Sequence, residues 1–598
     1  MPLPENLPYD PDALRTRYAE ERAKRMRDDG IGQFQEMQGD LGGFLDDTHV
    51  EAAIERDATF EELEAVVIGG GFSGLCTSAR LVEAGFDDVR VIETGSDFGG
   101  TWYWNQYPGV QCDIESYIYL PMLEELGYVP KLKYSYGPEI LQHARNIGRH
   151  FGLYDRALFQ TRVTSLEWDT GAKRWIVSTS RGDRLLARFV VVANGPLSRP
   201  KLPGIPGIQD FEGHTFHTSR WDYTYTGGDT NGGLTKLGDK KVGVIGTGAT
   251  AIQCIPHLGE GSEHLYVFQR TPSSVDARKN QPTDPNWAQS LEPGWQQDRI
   301  DNFSTLLSGG AVEEDLVADG WTDIIRNLSG MVDRSGEGGS PEEMALMVEY
   351  ADFHKMEEIR ARVDSIISDP ETAEALKPWY RQFCKRPCFH DDYLPTFERE
   401  NVTLVDTDGR GVERITPHGV VVAGEEYPVD CLVFATGFEV GTDYSRRAAM
   451  EIRGTSGETL TEKWKNGVTT LHGLMTDGFP NLFLMGGLQS GVTPNFTELY
   501  NEQSEHISFI MKASQDHPQG VVEAKPEAVA AWVKIIQDTA YANTGFAETC
   551  TPGYYNNEGK PGVGPGWFGG SYGGGAQAFF AILREWRESG ELEGLDRS

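Results

Sequence analysis

The fold is decided at residues 66–74, which read Val-Val-Ile-Gly-Gly-Gly-Phe-Ser-Gly. An apolar run stops at clustered glycines and a helix-like stretch follows, so the pattern is a strand, then G-x-G-x-x-G, then a helix. Gly69 allows a tight turn, Gly71 lets backbone N–H groups approach a pyrophosphate, and Gly74 lets the helix pack closely on the strand. This context predicts a dinucleotide site. The alternative is a glycine-rich turn in another kind of α/β protein.

The residue after the second predicted strand indicates which dinucleotide binds. Residues 89–92 form an apolar run that ends in Glu93, where a carboxylate binds the ribose hydroxyls of an adenine dinucleotide. Residues 241–251 repeat the fingerprint with Ala251 in place of the third glycine, and Arg270 stands where Glu93 stands in the first copy. Arginine binds the 2′-phosphate of NADPH, which a carboxylate repels. We therefore predict FAD in the first site and NADPH in the second.

Composition limits the partners and the compartment. The chain of 598 residues is long enough for several domains, and its net charge of −36 argues against nucleic acid or an anionic membrane as the main partner. We find no signal peptide pattern and no apolar stretch of ~20 residues that would span a membrane. Because the seven cysteines are scattered and odd in number, a disulfide framework is not expected, and the sequence favours a cytoplasmic protein.

Two further stretches carry candidate chemistry. Residues 99–113 combine aromatic residues with glycine and proline, which predicts a rigid loop whose walls exclude water from a flat redox ring. Asp113 is the one carboxylate in this stretch, and a helix cap is its alternative role. Residues 383–390 place Lys385 and Arg386 side by side in an apolar setting.

A third motif lies between the two nucleotide fingerprints. Its histidine alone is more typical of a structural hydrogen bond than of a catalyst, because it has no nucleophile or metal partner. The motif matches F-x-G-x-x-x-H-x-x-x-W-(P/D) at Phe211, Gly213, His217, Trp221 and Asp222. With the flanking fingerprints, it makes the chain resemble the type I Baeyer–Villiger monooxygenases over most of its length. The resemblance is greatest to the subgroup that acts on large rings, which includes cyclopentadecanone monooxygenase and the pentalenolactone-pathway enzymes.

The resemblance implies a reaction and a site. NADPH and O₂ would oxidise a bulky, cyclic or macrocyclic ketone to a lactone or ester, through a flavin C4a-peroxide stabilised by Arg386. Asp113 resembles the carboxylate that holds this arginine, and Lys385, with Arg270 and Thr271, resembles the clamp on the NADPH phosphate. A flavin-dependent N- or S-hydroxylating monooxygenase, an NADPH oxidase that releases hydrogen peroxide, and a non-enzymatic flavin-binding module are the alternatives. No metal is expected, and the oligomeric state is open.

The predicted fold class is α/β, with two Rossmann-like dinucleotide-binding domains for FAD and NADPH, a helical insertion and an N-terminal extension. The predicted boundaries are 1–60 for the N-terminal extension, 61–200 and 430–598 for the FAD-binding domain with a C-terminal covering loop, 201–277 and 384–429 for the NADPH-binding domain, and 278–383 for the helical insertion. The predicted cofactor-binding residues are Gly69, Gly71, Ser73, Gly74, Glu93, Thr101, Trp102, Tyr107, Gln111, Tyr119, Val163, Thr247, Gly248, Ala249, Thr250, Ala251, Arg270, Thr271 and Lys385.

Overall fold

The structure is a computed structural model that describes residues 7–37, 39–50, 52–323, 341–440, 442, 444–515, 520–561 and 570–597. The α-helices in these ranges are α1 (Pro11–Arg25), α2 (Phe72–Glu83), α3 (Thr101–Trp104), α4 (Ser116–Tyr119), α5 (Gly137–His150), α6 (Tyr223–Thr226), α7 (Ala249–Gly261), α8 (Pro285–Gln289), α9 (Trp295–Leu307), α10 (Pro341–Ile366), α11 (Pro370–Leu376), α12 (Tyr393–Thr396), α13 (Tyr444–Ala448), α14 (Leu460–Lys463), α15 (Phe496–Gln515), α16 (Pro526–Thr549) and α17 (Ala576–Ser589). None of these described helices has the length and apolar character needed to cross a bilayer.

The strands form two larger sheets and several short ribbons. They are β1 (Phe34–Gln35), β2 (Phe60–Ile68), β3 (Val89–Ile92), β4 (Ala157–Leu158), β5 (Val163–Asp169), β6 (Arg174–Thr179), β7 (Arg184–Val192), β8 (Leu202–Pro203), β9 (His214–His217), β10 (Lys241–Ile245), β11 (His264–Gln269), β12 (Val275–Asp276), β13 (Cys388–Phe389), β14 (Val402–Asp406), β15 (Arg414–Thr416), β16 (Gly419–Val422), β17 (Glu425–Pro428), β18 (Cys431–Phe434), β19 (Glu451–Arg453), β20 (Leu482–Leu484), β21 (Val522–Ala524) and β22 (Leu595–Arg597).

The first large sheet carries the first glycine motif. Its strands lie in the order β19-β5-β6-β7-β2-β3-β4, and β20 also pairs with β7. β2 runs parallel to β3 and to β7. Alternate residues of β2 enter two different hydrophobic clusters: Val67 belongs to the one that contains Leu499 of α15, and Val66 to the one that contains Trp175. Because both faces are covered, this strand reads as a continuous apolar run.

The second large sheet carries the second glycine motif. Its order is β14-β11-β10-β18-β9, and every neighbouring pair is parallel. The predicted boundary at residue 430, which gives Cys431–Phe434 to the FAD-binding domain, is wrong: β18 pairs with β10, Cys431 opposite Val242. The error has a physical cause, because both sheets contain an apolar strand that ends near a glycine, and only the pairing partner tells them apart.

The N-terminal segment packs onto the helices that follow the second motif. Leu14 and Tyr18 of α1 cluster with Tyr350 and Phe353 of α10. The Tyr18 hydroxyl also accepts a hydrogen bond from the guanidinium of Arg360 at 3.1 Å. Further along the segment, β1 pairs with β8. The described part of the extension therefore packs on the core.

The sequence does not predict a disulfide framework, but the described residues contain one disulfide bond, which the sequence analysis missed. Cys384 is bonded to Cys550, and the other five cysteines are free and buried. The two partners are 166 residues apart, so no spacing in the sequence marks them as a pair. Both cysteines are 2% exposed and lie beside Tyr380 and Phe546. The bond attaches the segment that follows α16 to the residues that come just before Arg386.

We predict that the disulfide contributes ~2–4 kcal/mol to the free energy of unfolding, because it closes a long loop of the unfolded chain. Alkylating the denatured, unreduced protein should modify five cysteines and leave Cys384 and Cys550 in one cross-linked peptide. The double variant Cys384→Ala/Cys550→Ala should melt at a lower temperature, with Cys388→Ala as the control for losing a nearby buried thiol. Seven alkylated cysteines in the wild-type protein would contradict this prediction.

Candidate active site and its two cofactor clefts

The first glycine motif leaves no room for side chains. Gly69 has a φ of +113°, and a Cβ there would lie 2.4 Å from the carbonyl oxygen of Ala193. A Cβ on Gly74 would lie 1.8 Å from the carbonyl oxygen of Gly69, so only glycine lets α2 approach the turn. Gly71 is the N-cap of α2 and no side chain caps the helix, which leaves its first N–H groups and positive dipole end for a phosphate.

Glu93 lies where the sequence predicts it, at the end of β3. One carboxylate oxygen accepts from the Gly70 N–H at 2.5 Å and the other from the Gly95 N–H at 2.6 Å. Burial raises the pKa of Glu93, and these hydrogen bonds offset part of that rise. The carboxylate is thus fixed at the rim of the glycine turn, where it can accept hydrogen bonds from ribose hydroxyls.

The first cleft gathers most of the residues predicted for FAD. Those lining it are Gly69, Gly71, Ser73, Glu93, Thr101, Trp102, Tyr119 and Val163. The indole N–H of Trp102 donates to the Tyr119 hydroxyl at 2.9 Å, which fixes one aromatic wall. The glycine cradle, the uncapped helix and the acidic ribose acceptor fit an adenine dinucleotide.

Arg220 and Arg447 also line this cleft and were missed from the sequence. Arg220 lies inside the third motif at a variable position, with its guanidinium 3.9 Å from the centre of the Trp104 ring. Burial lowers its pKa to about 10, so it stays charged at neutral pH. No motif position marked Arg220, and Arg447 lies outside every motif, so the sequence did not indicate either residue.

The second glycine motif repeats the geometry of the first. Gly246 has a φ of +115°, and a Cβ there would lie 2.4 Å from the carbonyl oxygen of Ala435. Gly248 is the N-cap of α7, again without a side-chain cap. The Thr247 hydroxyl donates to the carbonyl of Thr271 at 2.7 Å and so links the turn to the end of β11.

Ala249, Thr250 and Ala251 form the first turn of α7. Ala251 is fully buried, and its methyl group packs in a hydrophobic cluster.

A basic cluster lies beside this motif. Arg270 donates from Nη1 to the side-chain oxygen of Gln33, at 2.6 Å. Lys385 donates to the carbonyl of Pro552 at 3.0 Å, and burial lowers its pKa to about 8. Arg25 of α1 donates from Nε to the Arg270 carbonyl and to the Thr271 hydroxyl, both at 3.1 Å. The N-terminal segment therefore supports the cluster, which the sequence did not indicate.

Arg386 and Asp113, the predicted catalytic residues, are in direct contact. Arg386 donates from Nε and Nη2 to the two carboxylate oxygens of Asp113, both at 2.6 Å, which is a bidentate pair. Burial alone would raise the pKa of Asp113, but the charge and hydrogen bonds of Arg386 outweigh it and lower the pKa. Conversely, the charge of Asp113 outweighs burial and raises the pKa of Arg386. Both groups are therefore ionised at neutral pH.

Two residues missed from the sequence hold this pair in place. Trp321 donates from its indole N–H to the carbonyl of Asp113 at 2.9 Å, and its ring lies 5.2 Å below the Arg386 guanidinium. Arg278 donates to the carbonyls of Cys112 and Phe389, so it joins the aromatic loop to β13. Both precede Arg386 in the range predicted as a helical insertion, where no motif marked them.

Tyr107 and Gln111, predicted to bind cofactor, face the other domain instead of lining the first cleft. The Tyr107 hydroxyl and the Gln111 backbone N–H both donate to the side-chain oxygen of Gln253, at 2.9 and 3.1 Å. Gln253 lies on α7 and donates back to the carbonyl of Gln111 at 2.9 Å. The aromatic loop thus connects the two nucleotide motifs before it reaches Asp113.

The third motif is buried and structural in its contacts. His217 ends β9 at the edge of the second sheet, and its Nδ1 accepts from the backbone N–H of Ser219 at 3.2 Å. Burial, with a smaller effect from the Arg220 charge, lowers the pKa of His217 to about 3, so the ring is neutral. Asp222 caps α6 by accepting from two backbone N–H groups.

The remaining members of this motif fill space. Trp221 is 1% exposed and packs edge-on against Phe216, with ring centres 5.1 Å apart. At Gly213, a Cβ would lie 2.5 Å from the Phe211 ring and 2.6 Å from the carbonyl of Asp430. The motif therefore fixes the connection between the two sheets, and no member touches Arg386 or Asp113 through a described hydrogen bond.

Comparison with known proteins agrees with this layout. Residues 67–157 match a family model described as an NAD(P)-binding Rossmann-like domain. Neopentalenolactone D synthase of Streptomyces avermitilis is 53% identical over 590 residues, which cover 98% of this chain and 99% of the relative. A Baeyer–Villiger monooxygenase of Streptomyces coelicolor is 48% identical over 578 residues, which cover 96% of this chain and 95% of the relative. The solved polycyclic ketone monooxygenase of Thermothelomyces thermophila superposes with a TM-score of 0.90 at 39% identity, covering 98% of both chains.

Two dinucleotide motifs joined through an arginine–carboxylate pair are the layout of a flavin monooxygenase that a nicotinamide cofactor reduces. Because relatives that align over nearly the whole chain are named Baeyer–Villiger monooxygenases, the chain belongs to the type I Baeyer–Villiger monooxygenases. The predicted α/β fold, the family and the cofactors FAD and NADPH are confirmed.

We predict that Gly74→Ala abolishes FAD binding, because the added methyl group meets the Gly69 carbonyl oxygen 1.8 Å away. The ratio of flavin to protein absorbance in the purified variant measures this directly. Gly238→Ala is a matched control, since a Cβ there meets nothing within 4 Å. Normal flavin content in the Gly74 variant would refute the assigned cradle.

Proposed function

We propose that this enzyme oxidises a bulky cyclic ketone to a lactone with NADPH and O₂, and that Arg386 is its catalytic residue. The bidentate pair between Arg386 and Asp113 carries the proposal. Asp113 ends the aromatic loop that leaves the first cleft, and Arg386 follows Lys385 of the basic cluster, so the pair joins chain segments from both cofactor sites. When bound, FAD supplies the chemistry that activates O₂, after reduction by NADPH.

The role of Arg386 follows from its charge and its surroundings. A guanidinium stays protonated at any working pH, so it offers a permanent positive charge to oxygen atoms that become negative during the reaction. The side chain is 25% exposed and lies over Trp321, where the effective dielectric is lower than in water and Coulomb attraction is stronger. Asp113 uses only Nε and Nη2, and in the described residues no hydrogen bond occupies Nη1.

Asp113 is the positioning residue for this charge. Its bidentate contact fixes the plane of the guanidinium, and a neutral amide in its place would keep the shape but accept only one of the two N–H groups. Trp321 holds the backbone carbonyl of Asp113, which restricts movement of the carboxylate away from this position.

The cofactor roles of the glycine motifs are part of the same proposal. The first cleft would hold FAD on the N-terminus of α2, with Glu93 on its ribose, and the second motif would hold NADPH on the N-terminus of α7. Arg270, Thr271 and Lys385 would bind the 2′-phosphate. The uncapped helices and the basic cluster support these assignments.

A bulky substrate is supported by the relatives and by the wall near Arg386. Relatives that align over nearly the whole chain are named neopentalenolactone D synthase, polycyclic ketone monooxygenase and ketocytochalasin monooxygenase. Tyr554 and Tyr555 are 43% and 45% exposed and lie close enough to Arg386 to add, after Asp113, to the rise in its pKa, so they give the site an accessible aromatic side. The same relatives weigh against the alternative of N- or S-hydroxylation.

We also propose a cytoplasmic location. The disulfide is unusual for a reducing compartment, but its burial at 2% exposure for each cysteine would protect it from thiols.

We predict that Arg386→Ala lowers lactone formation by at least ~100-fold while bound flavin is retained, because a charge that stabilises the reacting oxygen is lost. NADPH should still be consumed, with hydrogen peroxide as the product. Asp113→Asn should lower lactone formation less, and the double variant should resemble Arg386→Ala because both act through one group. Arg410→Ala, whose side chain is 82% exposed, is the control. Full coupling of NADPH use to lactone in Arg386→Ala would exclude the role.

We expect polycyclic and macrocyclic ketones to be converted with higher kcat/KM than cyclohexanone, since the aromatic side formed by Tyr554 and Tyr555 offers a larger substrate more buried contact. Product mass and NADPH consumption across a panel of ring sizes measure this preference. An amine and a sulfide in the same panel test the alternative chemistry. A preference for small rings would contradict the proposed substrate class.

A further inference from the structure

A carboxylate from the C-terminal segment lies inside the basic cluster. Glu558 is 4% exposed, with one oxygen 3.7 Å from Nζ of Lys201 and the other 3.5 Å from Nη2 of Arg270. Lys385 also acts on it electrostatically. These residues are far apart in sequence, and neither Lys201 nor Glu558 belongs to any motif recognised in the chain.

The charges do not cancel. Burial alone would raise the pKa of Glu558, but the three cations outweigh it and lower the pKa, so the carboxylate is ionised. Glu21 balances the charge of Arg25 through an ion pair at 2.6 Å. With Lys201, Arg270 and Lys385 protonated and Glu558 ionised, the cluster keeps a surplus of about two positive charges, which is about the charge of a phosphate monoester near neutral pH. The buried cluster with its carboxylate is therefore complementary to one dianionic phosphate.

The ion pairs around Glu558 are loose. Distances of 3.5 and 3.7 Å exceed the 2.7–2.9 Å range of charge-assisted hydrogen bonds. Among the described residues, the buried Oε2 of Glu558 has no hydrogen-bond partner. Lys201 instead has its ammonium 3.8 Å from the centre of the Phe34 ring. The N–H groups of Lys201 and Arg270 thus lie near a carboxylate that does not saturate them.

The backbone holds Glu558 in place at a cost. Glu558 has a φ of +54°, in the left-handed region that most residues with a Cβ disfavour, and it follows Asn557, a residue type that tolerates this region, at +51°. The Glu558 N–H donates to the carbonyl of Gly553 at 2.8 Å, and the disulfide of Cys550 anchors the same segment. A strained conformation that the surrounding contacts impose is typical of functional sites.

We propose that Glu558 is a counter-charge built into the 2′-phosphate subsite, where it limits the affinity for NADP(H), and that Lys201 is a further cation of that subsite. This rests on the proposed role of Arg270 and Lys385. With Glu558 present, the phosphate dianion brings the cluster to neutrality. Without it, the cluster exceeds the charge of the phosphate and binds the oxidised cofactor too tightly for ready release.

The test is calorimetric binding of NADP⁺ and of NAD⁺, which lacks the 2′-phosphate, to the FAD-loaded full chain. We expect Glu558→Gln, which keeps the shape but removes the charge, to lower the Kd for NADP⁺ about tenfold and to leave that for NAD⁺ nearly unchanged. Lys201→Gln should raise the Kd for NADP⁺ by a similar factor. Glu591→Gln, an exposed substitution outside the cluster, is the matched control.

Each outcome separates this inference from the proposed function on which it rests. Unchanged or weaker NADP⁺ binding in Glu558→Gln, or equal tightening of NAD⁺, would overturn the counter-charge role. If Arg270→Ala keeps the wild-type preference for NADP⁺ over NAD⁺, the phosphate subsite itself is wrongly assigned. If Glu558→Gln does not fold with FAD, two other variants decide. The inference is overturned if Lys201→Gln keeps the wild-type affinity for NADP⁺, or if the charge-retaining Glu558→Asp binds NADP⁺ more tightly than the wild-type protein.

Discussion

The bidentate contact of Arg386 with Asp113 joins the chain segment that leaves the first nucleotide motif to the basic segment beside the second. Asp113 ends the aromatic loop that begins at the first cleft, and Arg386 follows the lysine of the basic cluster. Removing one member of this partly buried ion pair would leave the charge of the other without its partner. The supports from Trp321 and Arg278 act on backbone carbonyls, so they hold the loop independently of the side-chain pair.

The two nucleotide motifs show how one local solution is used twice. In each, a glycine at positive φ passes within Cβ contact of a carbonyl at the end of a neighbouring strand, namely Ala193 in one sheet and Ala435 in the other. The repeat places two helix N-termini where phosphates can bind. What differs is the residue after the next strand: Glu93 is held by backbone N–H groups, whereas Arg270 joins other cations.

Segments from the N-terminal and C-terminal parts of the chain meet beside the second motif. Arg25 and Gln33 from the N-terminal segment contact Arg270, while Glu558 and the carbonyl of Pro552 come from the C-terminal segment. The disulfide ties that C-terminal segment to the residue that precedes Lys385. The cofactor that reduces the enzyme would thus be bound by parts of the chain that neither glycine motif contains.

The sequence by itself determined what depends on short-range backbone geometry and on spacing. Gly69, Gly71 and Gly74 predict the cradle, Glu93 and Arg270 predict which dinucleotide each motif binds, and the third motif predicts the family. Only the tertiary structure decided which distant residues meet. It moved β18 to the second sheet, paired Cys384 with Cys550, turned Tyr107 and Gln111 toward Gln253, and brought Lys201 and Glu558 to Arg270. Such contacts depend on strand pairing and packing over hundreds of residues, for which one sequence contains no local pattern.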